Sequence, residues 1–260
     1  MTRAGPTRRK VLGKAGNVQG DPRAERPRAQ GAPVGRTLSI VIPTLNEAEA
    51  LPATVRRAQL VPEVLEIIVV DGGSADATRQ VAEGLGCRVL TGPRSRGCQL
   101  RLGAAQARGE IVVLLHADTW LPPDAGLAIL NCLRDPLVVG GGFWKTFREK
   151  HLLMAGSRFR CAVRLWVFGR VLGDQAMFVR RQALESIGGV PDVPLMEEFE
   201  LCRRLRRLGR LALAGATVTT SARRFLKRGV LRTYARMWRV TAQYYLGASA
   251  QSLRRIYEKD

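Results

Sequence analysis

Three polar clusters that each contain an acidic side chain occur in the first half of this 260-residue chain. They are Thr44-Leu45-Asn46-Glu47, Asp71-Gly72-Gly73-Ser74 and His116-Ala117-Asp118-Thr119, and each follows a run of apolar residues. Carboxylates that are brought together can hold a divalent cation or accept a proton. Packing alone does not explain an acid at three successive strand ends, so the clusters are candidate metal-binding or catalytic sites.

The apolar runs before these clusters predict buried strands, with helices between them. The predicted order is a strand at Leu38–Ile42 stopped by Pro43, a helix at Ala48–Leu60, a strand at Leu65–Val70, a helix from Asp76 to Leu85, a strand at Cys87–Leu90, a helix at Gly97–Arg108, a strand at Glu110–Leu115 and a helix from Pro122 to about Leu133. This alternation predicts an α/β fold with a mostly parallel central sheet and helices on both faces. Ligands bind such sheets beyond the carboxyl ends of the strands, where the three clusters lie.

The second half of the chain gives a more mixed pattern. Gly140–Trp144 predicts a strand or bend whose backbone approaches another group closely, and Ala176–Val179 predicts a short strand. A helix is predicted over Glu197–Leu208, with Glu197 and Glu198 in its first turn. Val230–Tyr245 predicts an amphipathic helix. Its apolar face is expected to carry Val230, Tyr234, Met237, Trp238, Thr241 and Tyr245, and its polar face Arg232, Arg236, Arg239 and Gln243.

The chain is strongly basic, with 42 Lys and Arg against 22 Asp and Glu and a net charge of +20. An arginine excess favours partners that carry phosphate, such as nucleotides, nucleic acids or anionic lipids, and a GC-rich genome is the alternative explanation. Residues 1–36 contain nine basic and two acidic residues and almost no large apolar side chains. This composition predicts a disordered basic tail. The remaining chain divides into a domain at 37–228 and an amphipathic helical segment at 229–260. The five cysteines form no C-x-x-C pair, which argues against a zinc site and a disulfide framework and suits a cytoplasmic protein.

Four motifs in order carry a resemblance to a known family. They are Ser39-Ile-Val-Ile-Pro-Thr-Leu-Asn-Glu47, Ile67-Ile-Val-Val-Asp-Gly-Gly-Ser-Ala-Asp-Ala-Thr78, Leu114-Leu-His-Ala-Asp-Thr119 and Met196-Glu-Glu-Phe-Glu-Leu-Cys-Arg-Arg-Leu205. Together they resemble the GT-A-fold family 2 glycosyltransferases over roughly residues 37–210, and His-Ala-Asp-Thr is similar to a subgroup of small bacterial members. The resemblance implies inverting transfer of a sugar from a nucleoside diphosphate to an acceptor hydroxyl. The Gln-x-x-Arg-Trp signature of processive synthases is absent from the sequence, which favours transfer of a single sugar.

The resemblance also implies roles for particular residues. Asp118 takes the second position of the family's D-x-D motif and is expected to bind Mg²⁺ or Mn²⁺ together with the donor diphosphate. His116 stands at the first position, where it could ligate the metal, contact the nucleotide or satisfy a buried turn. Glu198 is expected to be the general base. Pro43, Asn46, Glu47, Asp71 and Arg96 are expected to line the nucleotide site, and Asp174, Gln175, Arg223 and Arg224 are candidates for contact with the acceptor or the diphosphate.

The expected partners are a nucleotide-sugar donor, with a UDP-sugar favoured, and a small-molecule or lipid-type acceptor. No nucleic acid is expected. The final amphipathic helix either packs on the core or lies at a membrane surface, and the expected location is the cytoplasm or the inner face of the membrane. The alternatives are a nucleotidyltransferase, whose Gly-rich loop after the first strand is missing from this sequence, and a basic nucleic-acid- or membrane-binding protein without catalysis.

Overall fold

The computed structural model describes residues 37–193 and 195–258. The tail predicted over residues 1–36 lies outside these described residues. None of the helices in these residues has the length and apolar character needed to cross a membrane.

Strands and helices alternate through the first half, as predicted, with bounds that shift by a few residues. The elements are β1 (Leu38–Thr44), α1 (Leu51–Gln59), β2 (Val64–Asp71), α2 (Thr78–Gly84), β3 (Arg88–Thr91), α3 (Arg96–Ala105), β4 (Ile111–Leu114), β5 (Thr119–Trp120) and α4 (Ala125–Cys132). β1, β2, β3 and β4 are all mutually parallel in their pairings. The three polar clusters therefore meet at one edge of the sheet.

Pro43 does not stop the first strand, because β1 continues to Thr44 and pairs with β2 to its end. The reason lies in the direction of the backbone groups. The carbonyl of Val41 accepts a hydrogen bond from the Leu115 N–H, so Val41 and Pro43 both face β4. The pairing with β4 ends at Val41, and the missing N–H of Pro43 therefore costs no ladder hydrogen bond.

The second half adds four further strand pairings and makes the sheet mixed. Its elements are β6 (Val138–Phe147), α5 (Ser157–Phe168), β7 (Met177–Arg180), α6 (Arg181–Ser186), α7 (Glu197–Leu205), β8 (Arg210–Thr220), α8 (Arg223–Arg228), α9 (Val230–Tyr245) and α10 (Ala250–Glu258), with single 3₁₀ turns at Leu152–Met154 and Gly173–Gln175. The strand order is β3-β2-β1-β4-β7-β6-β8-β5. β7 runs antiparallel to β4 and β6, β5 runs antiparallel to β8, and β6 is parallel to β8. The sequence pattern did not predict α5 or β8.

The hydrophobic core lies on both faces of the sheet, as a covered parallel sheet requires. Alternate residues of β1 point to opposite sides, so Ile40 and Ile42 belong to one buried cluster and Val41 to the other. α1 and α4 cover the first face, and α3 and α7 cover the second. This double burial explains why the first strands are continuous apolar runs.

The three glycines at 140–142 in β6 allow the close backbone approach that the sequence predicted. A Cβ on Gly140 would lie 2.6 Å from the carbonyl oxygen of Phe178, and one on Gly141 would lie 2.8 Å from the Phe178 ring. Register shifts on both sides of this stretch let β6 bend between β7 and β8. Because β7 is antiparallel to both β4 and β6, β6 ends at the same edge of the sheet as β4.

The bounds of α9 match the predicted amphipathic helix. Trp238 is 79% exposed and Tyr245 is also exposed, whereas Arg236, which the sequence places on the polar face, is only 8% exposed. At about 100° per residue, the apolar residues form one wide arc of this helix. Only the side of the arc that contains Val230 and Val240 is buried, and the periodicity of the sequence could not predict which side would pack on the core.

Candidate functional site

The loops after β1 and β2 hold each other in place through side chains of the first two clusters. The carboxylate of Asp71 accepts hydrogen bonds at 3.0 Å from the N–H groups of Gly73 and Ser74, and it is fully buried. Asn46 has a φ of 54° and its side-chain oxygen accepts a 2.8 Å hydrogen bond from the Ala75 N–H. Asp71 and Asn46, both predicted nucleotide-site residues, thus fix the shape of this edge.

Gln99 of α3 supports the same edge from behind. Its side-chain amide donates at 2.8 Å to the carbonyl oxygens of Thr44, the last residue of β1, and Val70, the residue before the end of β2. Pro43 pairs with Val70 in the sheet and is half-buried. These contacts leave the loops little freedom to move.

Glu47 joins the first cluster to the C-terminal part of the chain. Its buried carboxylate forms ion pairs with Arg223 and with Arg224, the latter at 3.1 Å. Both arginines begin α8, which follows directly after β8. Two cations predicted to contact a diphosphate therefore lie beside a residue predicted to line the nucleotide site.

Asp118 lies in the same electrostatic environment. Burial raises the pKa of its carboxyl above the usual range, Glu47 raises it further, and Arg224 and Arg223 oppose the rise. The carbonyl of Asp118 accepts a hydrogen bond from the Ser221 N–H at 3.2 Å, which ties this turn to the segment that carries the arginines. Among the described residues, no side chain or N–H donates a hydrogen bond to the Asp118 carboxylate, so its oxygens are available to a ligand.

This arrangement fits a divalent cation that is held mainly by a diphosphate. No group of three or more His, Cys, Asp or Glu side chains suited to a metal occurs in residues 37–193 and 195–258. Mg²⁺ in phosphate-binding enzymes is commonly held by one or two carboxylates together with phosphate oxygens. Asp118 supplies one such carboxylate, and Arg223 and Arg224 supply positive charge for the phosphates.

His116 points to a different part of the site. A Cβ on Gly173 would lie 2.7 Å from Glu198 Oε1 and closer still to His116 Nε2, so both side chains face this glycine. Burial, and then the charge of Arg96, lower the pKa of His116 to about 3, and the imidazole is therefore neutral at neutral pH. Its buried Nε2 has no hydrogen-bond partner within the described part of the chain.

Glu198 is buried in the first turn of α7 and is held by Arg96, the first residue of α3. Arg96 pairs with Glu197 and, at 3.3 Å, with Glu198. Burial raises the pKa of Glu198 to about 7, with the neighbouring Glu197 charge adding to the rise and Arg96 opposing it. A buried carboxylate with a pKa near neutrality has the properties of a general base.

Asp174 lies in the 3₁₀ turn beside Gly173 and pairs with Lys145 of β6. Burial acts to raise the pKa of Asp174, but the charges of Lys145 and Arg164 outweigh it and hold the pKa below its usual range. Asp174 Oδ1 is buried and has no hydrogen-bond partner among the residues the structure describes. The ionised oxygen is thus ready to accept a hydrogen bond from a bound hydroxyl.

Gln175, a predicted contact for the acceptor or the diphosphate, has a structural role instead. It is fully buried, and its amide group donates to the Phe143 carbonyl at 3.1 Å and accepts from Arg164 at 3.0 Å.

The other predicted residues form two neighbouring groups. One contains Pro43, Asn46, Glu47, Asp71, Asp118, Arg223 and Arg224, and the other contains Arg96, His116, Asp174 and Glu198.

Two residues of the site were missed from the sequence. Lys145 follows the inward-facing Phe143 by two positions, so strand alternation alone places it in the interior, where a lysine needs an acidic partner. Arg148, just after β6, adds to the positive charge that acts on Asp118. No signal in the sequence distinguishes Arg148 from the many exposed arginines.

Known proteins share parts of this sequence. The model for glycosyl transferase family 2 matches residues 39–187. An undecaprenyl-phosphate 4-deoxy-4-formamido-L-arabinose transferase of Sodalis glossinidius is 28% identical over 155 residues, which are 55% of this chain and 48% of the relative. The corresponding Pseudomonas fluorescens (strain Pf0-1) protein is 35% identical over 100 residues, 34% of this chain and 29% of the relative. The chain thus spans about half the length, or less, of the curated relatives it matches.

Solved structures share the fold. Glucosyl-3-phosphoglycerate synthase from Mycobacterium tuberculosis, in complex with Mn²⁺ and UDP-glucose, aligns with a TM-score of 0.53 and 25% identity over 72% of this chain and 70% of that one. S. aureus TarS 1–349 aligns with a TM-score of 0.58 and 13% identity over 72% of this chain and 60% of that one. The architecture is the GT-A fold, and the chain belongs to glycosyl transferase family 2.

Proposed function

We propose that this protein transfers a single sugar from a nucleoside-diphosphate donor to an acceptor hydroxyl, with inversion at the sugar. The observation that carries the proposal is the division of the site into two groups. A cationic group around Asp118, Arg223 and Arg224 suits a diphosphate, and an acidic group around Glu198 and Asp174 suits a hydroxyl. Sugar transfer needs both groups in adjacent positions.

The donor is proposed to bind across the loops after β1, β2 and β4. Pro43, Asn46, Glu47 and Asp71 shape the nucleotide side, and Asp118 holds the metal–diphosphate. When bound, Mg²⁺ or Mn²⁺ supplies positive charge that stabilises the departing diphosphate. Arg223 and Arg224 add to that charge, and the phosphates compete with Glu47 for them.

The acceptor is proposed to bind on the side of Gly173. Asp174 Oδ1 accepts a hydrogen bond from one acceptor hydroxyl, and Glu198 accepts the proton of the hydroxyl that reacts. The new bond joins the acceptor oxygen to the anomeric carbon on the face opposite the departing diphosphate, and direct displacement inverts that carbon. Arg96 keeps the Glu198 carboxylate in position.

The comparisons narrow the substrate classes. A structural neighbour binds UDP-glucose with Mn²⁺, and this supports a UDP-sugar donor. The curated relatives are named as undecaprenyl-phosphate transferases, which supports a polyprenyl phosphate lipid as acceptor and a site of action at the membrane face. With that acceptor the attacking atom is an ionised phosphate oxygen, and Glu198 has no proton to remove. A small-molecule acceptor is the second candidate, because a neighbour is solved in complex with Mn²⁺, UDP-glucose and phosphoglyceric acid.

Donor binding is tested by thermal shift with nucleotide sugars in the presence and absence of Mn²⁺. A ligand present at about 100 times its Kd stabilises the folded state by about 2.7 kcal/mol. We expect a metal-dependent rise in Tm with a UDP-sugar that is lost in Asp118→Ala. Asp124→Ala, at an exposed acid on the next helix, is the matched control and should retain the shift. An undiminished shift in Asp118→Ala would refute the metal–diphosphate role.

Catalysis is tested separately from binding. Glu198→Gln is expected to keep the donor-induced Tm shift and to lose donor hydrolysis or transfer by about a hundredfold or more. Glu200→Gln, in the same helix but paired with Arg203 and Arg204, should retain activity. Full turnover by Glu198→Gln would exclude Glu198 as the base.

The alternative function has its own test. Salt-dependent binding of nucleic acid, without any affinity for nucleotide sugars, would favour a non-catalytic binding protein.

A further inference from the structure

α5 and α9 lie side by side and run in the same direction. Near their first turns, Arg160 donates a hydrogen bond to the Tyr234 hydroxyl at 3.1 Å. Near their last turns, the rings of Phe168 and Tyr245 lie 6.4 Å apart. These two contacts define a common outer surface made by both helices, which we call the α5–α9 face.

Large apolar side chains cover this face. On α5, Phe159 is 72% exposed and Trp166 is 75% exposed, and they are seven residues apart on the same side of the helix. On α9, Leu231, Trp238 and Tyr245 are exposed at the same spacing. Tyr234 lies on the edge of α9 nearest α5, next to the stripe that contains Trp238. On α5, the exposed side chains of Val167 and Phe168 continue the apolar surface from Trp166 to the contact with α9. Exposed apolar surface of this extent on adjacent elements marks an interaction site.

The charges around the face have one sign. The sequences of α5 and α9 contain no Asp or Glu, and the arginines are Arg158, Arg160 and Arg164 in α5 and Arg232, Arg236 and Arg239 in α9. Arg232 and Arg239 are exposed on the edge of α9 away from α5. A face with arginines and no acidic residues complements an anionic lipid surface, whereas a protein partner of ordinary composition carries both signs of charge.

We propose that the α5–α9 face docks on an anionic membrane surface. Tryptophan and tyrosine favour the headgroup region, where the ring is buried and the polar edge stays hydrated. Trp166 and Trp238 would insert at this level, and Arg232 and Arg239 would meet the lipid phosphates. An amphipathic surface with aromatic and basic residues and no acidic ones is typical of helices that lie in the interface plane.

The face adjoins the acceptor side of the site. Arg164 of α5 donates a 3.0 Å hydrogen bond to Gln175, the residue next to Asp174. The helix that would lie on the bilayer therefore contacts the turn that would bind the acceptor. Docking in this orientation brings the acceptor pocket close to the headgroups, where a phosphorylated lipid could enter it.

Co-sedimentation with vesicles tests the aromatic part of the proposal. The full chain should bind vesicles of phosphatidylcholine mixed with phosphatidylglycerol and bind much less to phosphatidylcholine alone. Trp166→Ser combined with Trp238→Ser should weaken partitioning by about tenfold or more. The control combines Leu60→Ser with Leu137→Ser, which removes two similarly exposed apolar side chains outside α5 and α9. Equal binding by the tryptophan variant and the wild type would overturn the proposal.

Charge reversal separates the face from the net charge of the whole protein. Arg232→Glu combined with Arg239→Glu should reduce binding to anionic vesicles by about tenfold or more. Arg79→Glu combined with Arg207→Glu changes the net charge equally at exposed positions elsewhere, and it should have a much smaller effect. Equal loss in both variants would mean that binding is non-specific attraction, and it would overturn the proposal.

A second copy of the chain is the competing occupant. Concentration-dependent self-association of the wild type that disappears in the tryptophan variant, without vesicle binding by either, would assign the face to a homodimer and overturn the membrane proposal. The inference is independent of the proposed chemistry. The tryptophan variant should retain the Mn²⁺-dependent Tm shift with a UDP-sugar, so failure of docking and failure of donor binding are read from different measurements.

Discussion

Replacing Glu198 by glutamine removes a carboxyl whose protonation differs between the folded and unfolded chain. Burial in the first turn of α7 raises its pKa from 4.5 to about 7. A raised pKa means that the folded state holds the proton more tightly. The resulting stabilisation is complete below the unfolded pKa and is lost as the pH rises through about 7. With 1.36 kcal/mol per pKa unit, the full effect is about 3 kcal/mol, of which about 2.5 kcal/mol disappears between about pH 5 and about pH 8.

The assay is urea unfolding of the wild type and of Glu198→Gln at several pH values across this range. The titrating groups that do not interact with Glu198 are common to both proteins, so their contributions cancel in the difference between the two free energies of unfolding. We expect the wild type to lose about 2.5 kcal/mol relative to the variant from the lowest to the highest pH.

Glu200→Gln in the same helix is the control, because hydrogen bonds from Arg203 and Arg204 lower the pKa of Glu200 to about 2. The stabilisation due to Glu200 is lost only below the usual pKa range, so its difference from the wild type should be flat between about pH 5 and about pH 8. A flat difference for Glu198→Gln as well would refute the argument that burial raises its pKa.

Three further predictions concern the packing around the site. Gly173→Ala should lower transfer activity by about a hundredfold with little change in donor binding, because the added methyl group displaces the two side chains that face it; equal kcat in the variant would contradict this. Gln99→Leu should destabilise the fold by about 2 kcal/mol in urea unfolding, since two buried carbonyls each lose one of their hydrogen-bond donors, and an unchanged midpoint would count against it. Lys145→Met should cost about 3–5 kcal/mol by leaving the Asp174 carboxylate unpaired, and a smaller loss in the double variant with Asp174→Asn would confirm that the pair is the cause.

The first half of the fold could be predicted because the sequence pattern within each strand and helix is enough to identify it. β1, β2 and β4 are buried on both faces and therefore appear as continuous apolar runs, and the helices between them have clear periodicity. The edge at which the acids meet follows from the parallel order. The pairing of Glu47 with Arg223 does not follow, because it joins residues that are far apart in sequence and depends on the full topology.

The second half of the fold was harder to predict from the sequence, for two physical reasons. The first seven residues of β8 include three alanines and one glycine, residues with weak strand preference, and its pairing with β6 and β5 stabilises it. In α9 the apolar residues form one wide arc, and only the contacts of the folded chain decide that Arg236 is buried and Trp238 exposed. The roles assigned to Asp118 and Glu198 stay predictions until the variants are measured.

The pairing of β5 with β8 has a consequence for the order in which the protein acquires its function during synthesis. Thr119 bonds to Thr220 in this pair, and the turn at Asp118 is held by Ser221, a partner about a hundred residues later in the chain. A nascent chain that ends before β8 already contains both proposed catalytic carboxylates but cannot hold the turn or supply Arg223. Long-range contacts of this kind form late, after the loop between them has closed. Donor affinity should therefore arise only when the last strand has left the ribosome, and truncation before β8 should abolish donor binding completely.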